Sequence, residues 1–151
     1  MSFTYLQLKD AIKAYAEYEE TSFVNNIPLF IRLSEERILK NVQLSLFRKN
    51  ATAKTSASVQ YIKVPSDFLA PFSMSMTGSD GDKFFLDFKD PSFVQEYTPD
   101  PTTTGSPRYY CQFDVNNFLL GPTPNAVFTA ELHYFYRPQS ITDLSDSSTT
   151  W

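Results

Sequence analysis

The sequence predicts an α+β fold in which two N-terminal helices pack beside a mainly antiparallel β domain. Two observations indicate this fold. Apolar residues recur at a helical period as far as Val42, and from Ser45 onward short β-rich stretches alternate with clusters of Gly, Pro, Asn and Asp. Segregated runs of helix and strand are typical of the α+β class. At 151 residues the chain is expected to form one domain, 1–151, with a helical part over about 4–42 and a β part over about 45–137.

The first helix is predicted over about Tyr5 to Tyr18. Thr4 and Gln7 have the spacing of a capping box, in which each residue satisfies a free backbone donor of the first turn. Beyond the cap, apolar residues recur three and four positions apart, as on one side of a helix. At its C-terminal end the helix meets three acidic residues, Glu17, Glu19 and Glu20, which oppose the helix dipole. They indicate a solvated acidic turn or, alternatively, a docking surface for a basic partner.

The second helix is predicted over about Ile27 to Val42, with Asn25 or Asn26 as its cap and Pro28 in its first turn. Five apolar residues mark a face that is expected to be buried within the subunit: Ile27, Phe30, Ile31, Ile38 and Val42. Five charged residues of both signs lie outside that face: Arg32, Glu35, Glu36, Arg37 and Lys40. Because exposed ion pairs orient a contact but contribute little free energy, we expect a subunit that is largely monomeric when isolated.

The β part is predicted to contain eight strands. They are Ser45–Lys49, Ala51–Ala57, Val59–Val64, Phe72–Thr77, Phe84–Phe88, Tyr109–Phe113, Phe118–Leu120 and Val127–Tyr136. The last is the clearest, since Phe128 to Tyr136 alternates between two faces. Gly78–Asp82 has the residues of a hairpin tip, and Asp90-Pro91 can open a short helical turn through Tyr97. The strand order cannot be derived from the pattern.

Two segments are predicted to be exposed. Thr98–Pro107 reads TPDPTTTGSP, is too long for a simple hairpin turn and is expected to contact a neighbouring subunit or another protein. Its candidate contact residues are Thr98, Pro99, Asp100, Thr102, Thr103 and Thr104. The tail, residues 140–151, is polar and lacks capping signals.

Composition excludes several classes of protein. The net charge is −4, with 13 basic and 17 acidic residues, and the basic residues are scattered, so affinity for a nucleic-acid backbone is not expected. Cys111 is the only cysteine and no signal peptide precedes Lys9, which predicts synthesis in a reducing cytoplasm. No run approaches the roughly 18 apolar residues of a membrane span. The 14 Phe and 9 Tyr exceed what one small core needs, which favours aromatic interfaces.

No residue pattern indicates catalysis or a bound cofactor. His133, the only histidine, falls within a predicted strand rather than at a loop, and Cys111 alternates with aromatic residues as a core residue does. Asp80 and Asp82 flank Gly81, but the further ligands of a calcium loop are absent, so a solvated hairpin tip is favoured over a metal site. There is no phosphate-binding loop. We therefore predict a protein that is not an enzyme and needs no metal or cofactor.

Two other classes stay open. A β-sandwich module, either tail-associated or binding a carbohydrate through surface aromatics, is one, although its binding face would normally contain Trp and the only Trp is Trp151. A small hydrolase that uses Asp67, Asp87 or Asp90 as paired carboxylates is the other. Nothing in the spacing of these three residues selects one pair over another.

Several segments, in order along nearly the whole chain, resemble the head-to-tail adaptor proteins of tailed bacteriophages. They are Asn26-Ile27-Pro28-Leu29-Phe30-Ile31, Leu33-Ser34-Glu35-Glu36-Arg37-Ile38, Val64-Pro65-Ser66-Asp67-Phe68-Leu69, Tyr97-Thr98-Pro99-Asp100, Gly105-Ser106-Pro107-Arg108-Tyr109-Tyr110 and Leu132-His133-Tyr134-Phe135-Tyr136-Arg137-Pro138. No single segment is specific, and the resemblance rests on their order. Members of this family usually continue into further helices, so we expect either that those helices are missing from this sequence or that the subunit is a shortened variant.

The resemblance implies a structural virion protein at the neck, where the head joins the tail. Such an adaptor forms a homo-oligomeric ring, usually dodecameric, beneath the portal protein and supplies the platform for a tail or nozzle protein. Phage DNA passes through the lumen without sequence-specific binding, and no membrane is involved. The charged residues of the second helix and the Thr98–Thr104 loop residues are then expected to contact the portal or neighbouring subunits.

Overall fold

The computed structural model of the protein describes residues 3–42 and 44–143. The contacts among these residues divide them into two compact units. The helical unit is formed by the described residues of Met1–Ser45 and Arg137–Trp151, and the β unit is Leu46–Tyr136. The α+β class predicted from the segregated sequence patterns is confirmed, with two N-terminal helices and a mainly antiparallel sheet.

Helix α1, Tyr5–Ala16, begins at the predicted capping box. The Gln7 amide donates to Thr4 Oγ1 over 3.3 Å, and the Thr4 amide donates to Gln7 Oε1 over 3.1 Å. The helix ends two residues earlier than predicted because Glu17 adopts a left-handed conformation, with φ at 49°, which ends a helix. None of the α1 residues is buried. Its apolar side is therefore only partly covered by the rest of the described chain.

Helix α2, Thr21–Asn41, starts six residues before the predicted position. The predicted caps are wrong, because Asn26 lies inside the helix and its side-chain amide donates to the Ser22 carbonyl over 2.9 Å. Pro28 also lies in the helix interior, where a proline typically costs about 3 kcal/mol. Phe23, Ile27 and Ile31 follow one another at four-residue spacing in the apolar cluster of the unit. This packing explains why the helix continues across its proline.

The β unit contains a seven-stranded sheet and a separate pair of very short strands. The strands are β1 Arg48–Lys54, β2 Tyr61–Lys63, β3 Phe68–Thr77, β4 Lys83–Phe88, β5 Thr104–Gly105, β6 Tyr109–Gln112, β7 Asn117–Gly121, β8 Thr123–Pro124 and β9 Thr129–Tyr136. The order in the large sheet is β1-β9-β3-β4-β6-β7-β2, and β5 pairs with β8. Only β4–β6 is parallel within the large sheet, and the short helix α3, Pro91–Tyr97, provides the crossover between them.

Several strand predictions need correction. Ser45–Lys49 is not a strand, since Ser45–Phe47 forms a 3-10 turn and β1 runs on from Arg48 through much of the next predicted strand. Strand β3 begins at Phe68 rather than Phe72. Its pairing with β9 shifts register between Pro71 and Ser73, and such irregularities let a strand contain proline. Strands β5 and β8 were not predicted, because two residues are too few to show an alternating pattern.

The core of the β unit lies on one face of the curled sheet. It consists of Ile62, Met74, Met76, Leu86, Tyr110, Phe118, Leu120, Phe128, Ala130, Leu132 and Tyr134. The alternation predicted for the last strand is confirmed, since Ala130, Leu132 and Tyr134 are buried on the core side. The predicted hairpin tip joins β3 to β4, and Gly81 has a φ of 87° there. Asp90 caps α3 as predicted.

The start of the predicted polar tail is packed rather than solvated. Ile141–Asp143 forms a 3-10 turn, and the Ile141 side chain is only 2% exposed. It joins Ile27 and Ile31 as the third buried member of the helical unit's apolar cluster. The remainder of the predicted tail, from Leu144, lies outside the described residues. The polar composition of residues 140–151 gave no sign that the Ile141 side chain packs into this apolar cluster.

Candidate functional site

Two of the predicted interface residues on α2 bind the C-terminal segment of their own chain. The Arg32 guanidinium forms an ion pair with the Asp143 carboxylate and donates to Thr142 Oγ1 over 2.8 Å. The Glu35 carboxylate accepts the backbone amide of Ile141 over 3.0 Å. Together they hold the segment whose Ile141 side chain fills the apolar cluster. Arg32 and Glu35 therefore have a stabilising role within the subunit, apart from any contact with a partner.

The other charged residues of α2 are exposed, and the ion pairs that Glu36 forms within the subunit are long. Glu36 lies 3.5 Å from Lys40 and 3.5 Å from Arg137, and all three side chains are about half exposed or more. Ion pairs this long and this exposed contribute between about 0 and 1 kcal/mol each. Arg37 is exposed. Arg37 and Lys40 are thus the cations of α2 that a partner could reach most easily.

The apolar residues of α2 do not form the single buried face that the sequence predicts. Ile27 and Ile31 are buried, but Phe30, Ile38 and Val42 are 43–46% exposed. Leu39, which was not predicted, is buried instead. The correction has a physical cause: α1 covers only part of α2, so a 3.6-residue period identifies apolar positions without showing which of them are covered.

An open apolar groove of about 270 Å³ lies within the helical unit. Its walls come from α1, α2 and the Ile141 turn, and it is lined by Leu8, Ile12, Phe30, Ile31, Ser34, Glu35, Ile38 and Ile141. Two further large apolar side chains of α2, Leu29 and Leu33, are more than half exposed outside this groove. The helical unit therefore presents several large exposed apolar side chains beside its small buried cluster.

The predicted loop Thr98–Pro107 is ordered by its own hydrogen bonds. The Asp100 carboxylate accepts from the Thr102 amide over 2.9 Å and from the Thr102 hydroxyl over 2.7 Å. Thr104 pairs with Thr123 in the β5–β8 ladder. Full exposure of the loop was a wrong prediction, because Thr98 and Pro107 at its two ends are buried. Pro99, Asp100, Thr102, Thr103 and Thr104 are exposed and form a fixed protrusion.

An aromatic cluster that the sequence analysis did not single out lies directly before this loop. Phe93 and Tyr97 stack on α3 with ring centroids 6.2 Å apart, and Tyr109 meets them edge-on at 5.1 and 4.8 Å. The Lys89 ammonium lies 5.8 Å from the Phe93 ring centre. Phe93 and Tyr97 are 40% and 46% exposed. Their spacing of four residues after the Asp90-Pro91 helix start could have predicted this pair.

Comparison with known families agrees with the order of segments noted in the sequence. The sequence model of the SU10 adaptor protein family matches residues 3–151. The chain belongs to this family. No curated protein matches it.

As an SU10 adaptor protein, the chain is a bacteriophage adaptor and a component of the virion. Membership also implies interactions with other components of the phage head or tail, and it suggests a structural rather than an enzymatic protein. Within residues 3–42 and 44–143, no helix is long and apolar enough to cross a membrane.

Two of the three carboxylates proposed for a hydrolase, Asp67 and Asp90, have structural partners in this SU10 adaptor protein. Partial burial opposes ionisation of Asp67, but hydrogen bonds from Lys49 at 2.7 Å and Tyr134 at 2.7 Å outweigh it and lower its pKa. Asp90 caps α3 through the Ser92 hydroxyl and amide, which lower its pKa as well. A lowered pKa keeps a carboxyl charged and is the opposite of what a general acid needs.

The remaining chemical candidates also have ordinary surroundings. Cys111 is fully buried as predicted, and burial raises the pKa of its thiol, which makes the thiolate less available. His133 Nε2 lies 3.6 Å from a Glu131 carboxylate oxygen on the partly exposed side of β9. The Asp80 carboxylate accepts from the Asp82 amide within the hairpin tip. Among the described residues, no group of three or more His, Cys, Asp and Glu side chains is placed to hold a metal ion.

Proposed function

We propose that this adaptor forms a ring, dodecameric in symmetry, beneath the portal protein of a tailed bacteriophage and joins the DNA-filled head to the tail. The observation that carries the proposal is the match to the SU10 adaptor protein family over residues 3–151. The exposed surfaces support it, because a connector must bind proteins on several sides at once. The subunit is made in the host cytoplasm and has no catalytic role.

The two units would contact different partners in the assembled ring. The helical unit offers the charged residues of α2 and a large apolar surface, which suit the portal protein and neighbouring subunits. The β unit offers the Thr98–Thr104 protrusion beside the Phe93–Tyr97–Tyr109 cluster, which suits a tail or nozzle protein. Aromatic side chains supply large contact area at low cost in conformational entropy, and a loop fixed by Asp100 loses little freedom on binding.

The charge of the chain is compatible with a ring through which DNA moves. The net charge is −4 and the basic residues are scattered, so the chain lacks the concentrated positive surface that retains a phosphate backbone. A lumen formed by such subunits would let DNA pass without sequence-specific binding. Many weak lateral contacts become sufficient once the portal holds the subunits side by side, and the portal would therefore act as the template for ring closure.

Reconstitution with purified portal protein tests the proposal. Electron microscopy should show a ring of adaptor subunits beneath the portal only when both proteins are present. Arg37→Glu combined with Lys40→Glu should weaken this association, whereas the matched double reversal Lys54→Glu with Lys63→Glu, at exposed positions of the β unit, should leave it intact. Failure of the wild-type chain to bind the portal protein under any of these conditions would contradict the proposed function.

The protrusion is better tested by substitution than by deletion, because deleting Thr104 would also break the β5–β8 ladder. Asp100→Ala removes the acceptor that holds Thr102 and should reduce tail attachment to portal–adaptor complexes. Ser79→Ala, in the exposed β3–β4 tip, is the matched control. Normal attachment with Asp100→Ala and also with Tyr97→Ala would show that this side of the β unit does not contact the tail.

A carbohydrate-binding module is the second candidate, and the aromatic cluster of Phe93, Tyr97 and Tyr109 is the observation that favours it. Exposed aromatic rings stack against sugar faces in many binding sites. A glycan array probed with the wild-type chain and with Tyr97→Ala separates the two candidates. Glycan binding that Tyr97→Ala abolishes would favour the module, and a silent array would remove it.

A further inference from the structure

Strand β1 lies at one end of the seven-stranded sheet, so only one of its two sides pairs with a neighbouring strand. It follows β9 residue for residue along Arg48–Lys54 and contains no bulge, proline or glycine. Within the described part of the chain, no strand pairs with its other side. A regular end strand of this kind presents a row of unpaired backbone groups to which another strand can add.

The hydrogen bond just after β1 shows which of its backbone groups belong to that row. The Thr55 amide donates to the Phe128 carbonyl over 2.9 Å, at the ladder position that follows Lys54 and Thr129. Because the direction of the backbone groups alternates along an antiparallel pair, every second residue before Thr55 also faces β9. The N–H and C=O groups of the residues between them point away from the sheet. These residues are Arg48, Asn50, Thr52 and Lys54.

An apolar hollow of about 260 Å³ lies beside this edge, on the core side of the sheet. On that side β1 contributes only the methyl groups of Ala51 and Ala53, which lie opposite Leu132 and Ala130 of β9. The wall across from β1 is formed by β2 and the two residues after it. Side chains of directly opposite residues in neighbouring strands share a face. A strand added to β1 would therefore direct the residue opposite Ala51 toward the hollow.

The charges at this edge favour an acidic strand over a second copy of β1. The Arg48 guanidinium lies 4.3 Å from the Phe72 ring centre. Lys54 and Lys63 are exposed, and among the described residues neither forms an ion pair. Two β1 strands packed antiparallel about Ala51 would bring Arg48 of one copy beside Lys54 of the other, which like charges disfavour. Carboxylates at the ends of the added strand would meet these cations instead.

We propose that the β1 edge binds an extended segment of another protein, which adds to the sheet as a further antiparallel strand. The segment carries a large apolar side chain for the hollow and acidic residues beside Arg48 and Lys54. The unpaired backbone row supplies affinity for any extended chain, and the hollow and the cations select the sequence. Assigning the segment to a tail or nozzle protein, rather than to the portal protein, rests on the proposed function.

Amide exchange of the full chain, followed by NMR, tests the unpaired row. The amides of Asn50 and Thr52 should exchange at least roughly tenfold faster than those of Ala51 and Ala53, because only the two alanines donate to β9. Equal protection of all four amides would overturn the assignment of an unpaired row.

A synthetic peptide tests the pairing. The probe is acetyl-Glu-Val-Thr-Leu-Thr-Val-Glu-amide, which places Leu opposite Ala51 and a Glu beside Arg48 and Lys54 at either end. Its titration into the full chain should shift the NMR signals of β1 and protect the amides of Asn50 and Thr52. N-methylation of both Thr nitrogens removes two N–H groups that would face β1 and should raise the dissociation constant at least roughly tenfold. Exchange of its Leu for Ser should also weaken binding. No binding at about 1 mM, or binding insensitive to N-methylation, would overturn the proposal.

Variants of the chain locate the site. Thr52→Pro removes one outward N–H, and proline is tolerated in an end strand where its nitrogen faces solvent. It should raise the peptide's dissociation constant at least roughly tenfold, whereas Thr52→Ala keeps the N–H and should leave the constant unchanged. Circular dichroism checks that both variants fold, and the N-methylated peptide gives the same test with the wild-type chain. Equal binding by the two folded variants would overturn the proposal.

The charge reversal separates this inference from the proposed function. Lys54→Glu with Lys63→Glu should weaken peptide binding while leaving portal association intact, and Arg37→Glu with Lys40→Glu should do the reverse. A wild-type chain that binds the peptide but never the portal protein contradicts only the proposed function. A chain that binds the portal protein but not the peptide contradicts only the β1 edge as a binding site.

Discussion

The helical unit and the β unit differ in how completely each covers its own apolar residues. In the β unit, eleven buried residues form one continuous core and each of the seven strands of its sheet is paired. In the helical unit the largest buried cluster has three members, and no residue of α1 is buried. Since burial of apolar surface is the main favourable term in folding, the β unit can be stable by itself. The helical unit is suited to being completed by a partner.

The largest expected effect comes from opening the core of the β unit. Phe118 is fully buried against Phe68 and Tyr110, so Phe118→Ala should lower the free energy of unfolding by about 3–5 kcal/mol. Ile27→Ala in the helical unit should cost about 2 kcal/mol, because the partly buried side chains around it can relax into the space. Urea unfolding followed by circular dichroism measures both. Equal losses for the two variants would contradict the difference between the units.

The next largest loss of stability is expected from a substitution at a closely packed position of the β unit. A Cβ atom at Gly121 would come within 2.9 Å of Val94 Cγ1, at the contact between β7 and α3. Gly121→Ala should therefore destabilise the protein by about 1–3 kcal/mol through overpacking. Ser106→Ala, at an exposed position of the same unit, is the control. A thermal midpoint for Gly121→Ala equal to that of the control would show that α3 can move away at no cost.

The Asp67 network should make the stability of the β unit depend on pH. The pKa of Asp67 is lower folded than unfolded, so its contribution is fully present above the ordinary value of 3.8. It is lost as the pH falls from there through the lower folded pKa. Asp67→Asn should remove this acid-dependent part and cost about 1–3 kcal/mol near neutral pH, since Lys49 and Tyr134 lose a charged acceptor. Urea midpoints of wild type and variant that run parallel below pH 4 would contradict this role.

The smallest effect is expected at the surface of α2. Lys40→Ala removes a 3.5 Å ion pair with Glu36 and should change the free energy of unfolding of the isolated chain by less than about 0.5 kcal/mol. Arg32→Ala should cost more, about 1 kcal/mol, because the guanidinium binds both Thr142 and Asp143. Chemical denaturation of both variants ranks them. A loss with Lys40→Ala as large as with Arg32→Ala would contradict the assignment of Arg32 to the C-terminal segment.

Local signals in the sequence were sufficient for much of the fold. The capping box at Thr4, the hairpin tip at Gly81 and the Asp90 cap of α3 each depend on residues within a few positions, and the structure shows all three. The start of α2 was misplaced because packing of Phe23 with Ile27 and Ile31 outweighs the local preference of Asn25, Asn26 and Pro28 for a helix end. The strand order depends on contacts between distant residues and left no local signal.

The candidate surfaces were only partly predictable. The period of α2 identified Arg32 and Glu35 as polar positions, but it could not show that Ile141, more than a hundred positions later, returns to them. The same period could not show that Phe30 and Ile38 stay exposed, since exposure depends on how far α1 extends over α2. For the loop, the sequence predicted an exposed contact segment, whereas its order depends on the acceptor Asp100, which the pattern did not single out.

Hydrogen exchange of the whole chain, measured by mass spectrometry, tests the contrast between the units most directly. In the dilute free chain, the amides of α1 and α2 should exchange much faster than those of β3, β7 and β9, because local opening of the helical unit exposes little additional apolar surface. On addition of portal protein, the α1 and α2 amides should become protected while those three strands change little. Helices as protected as the strands in the dilute chain, or unchanged when the chain assembles, would contradict a helical unit that a partner completes.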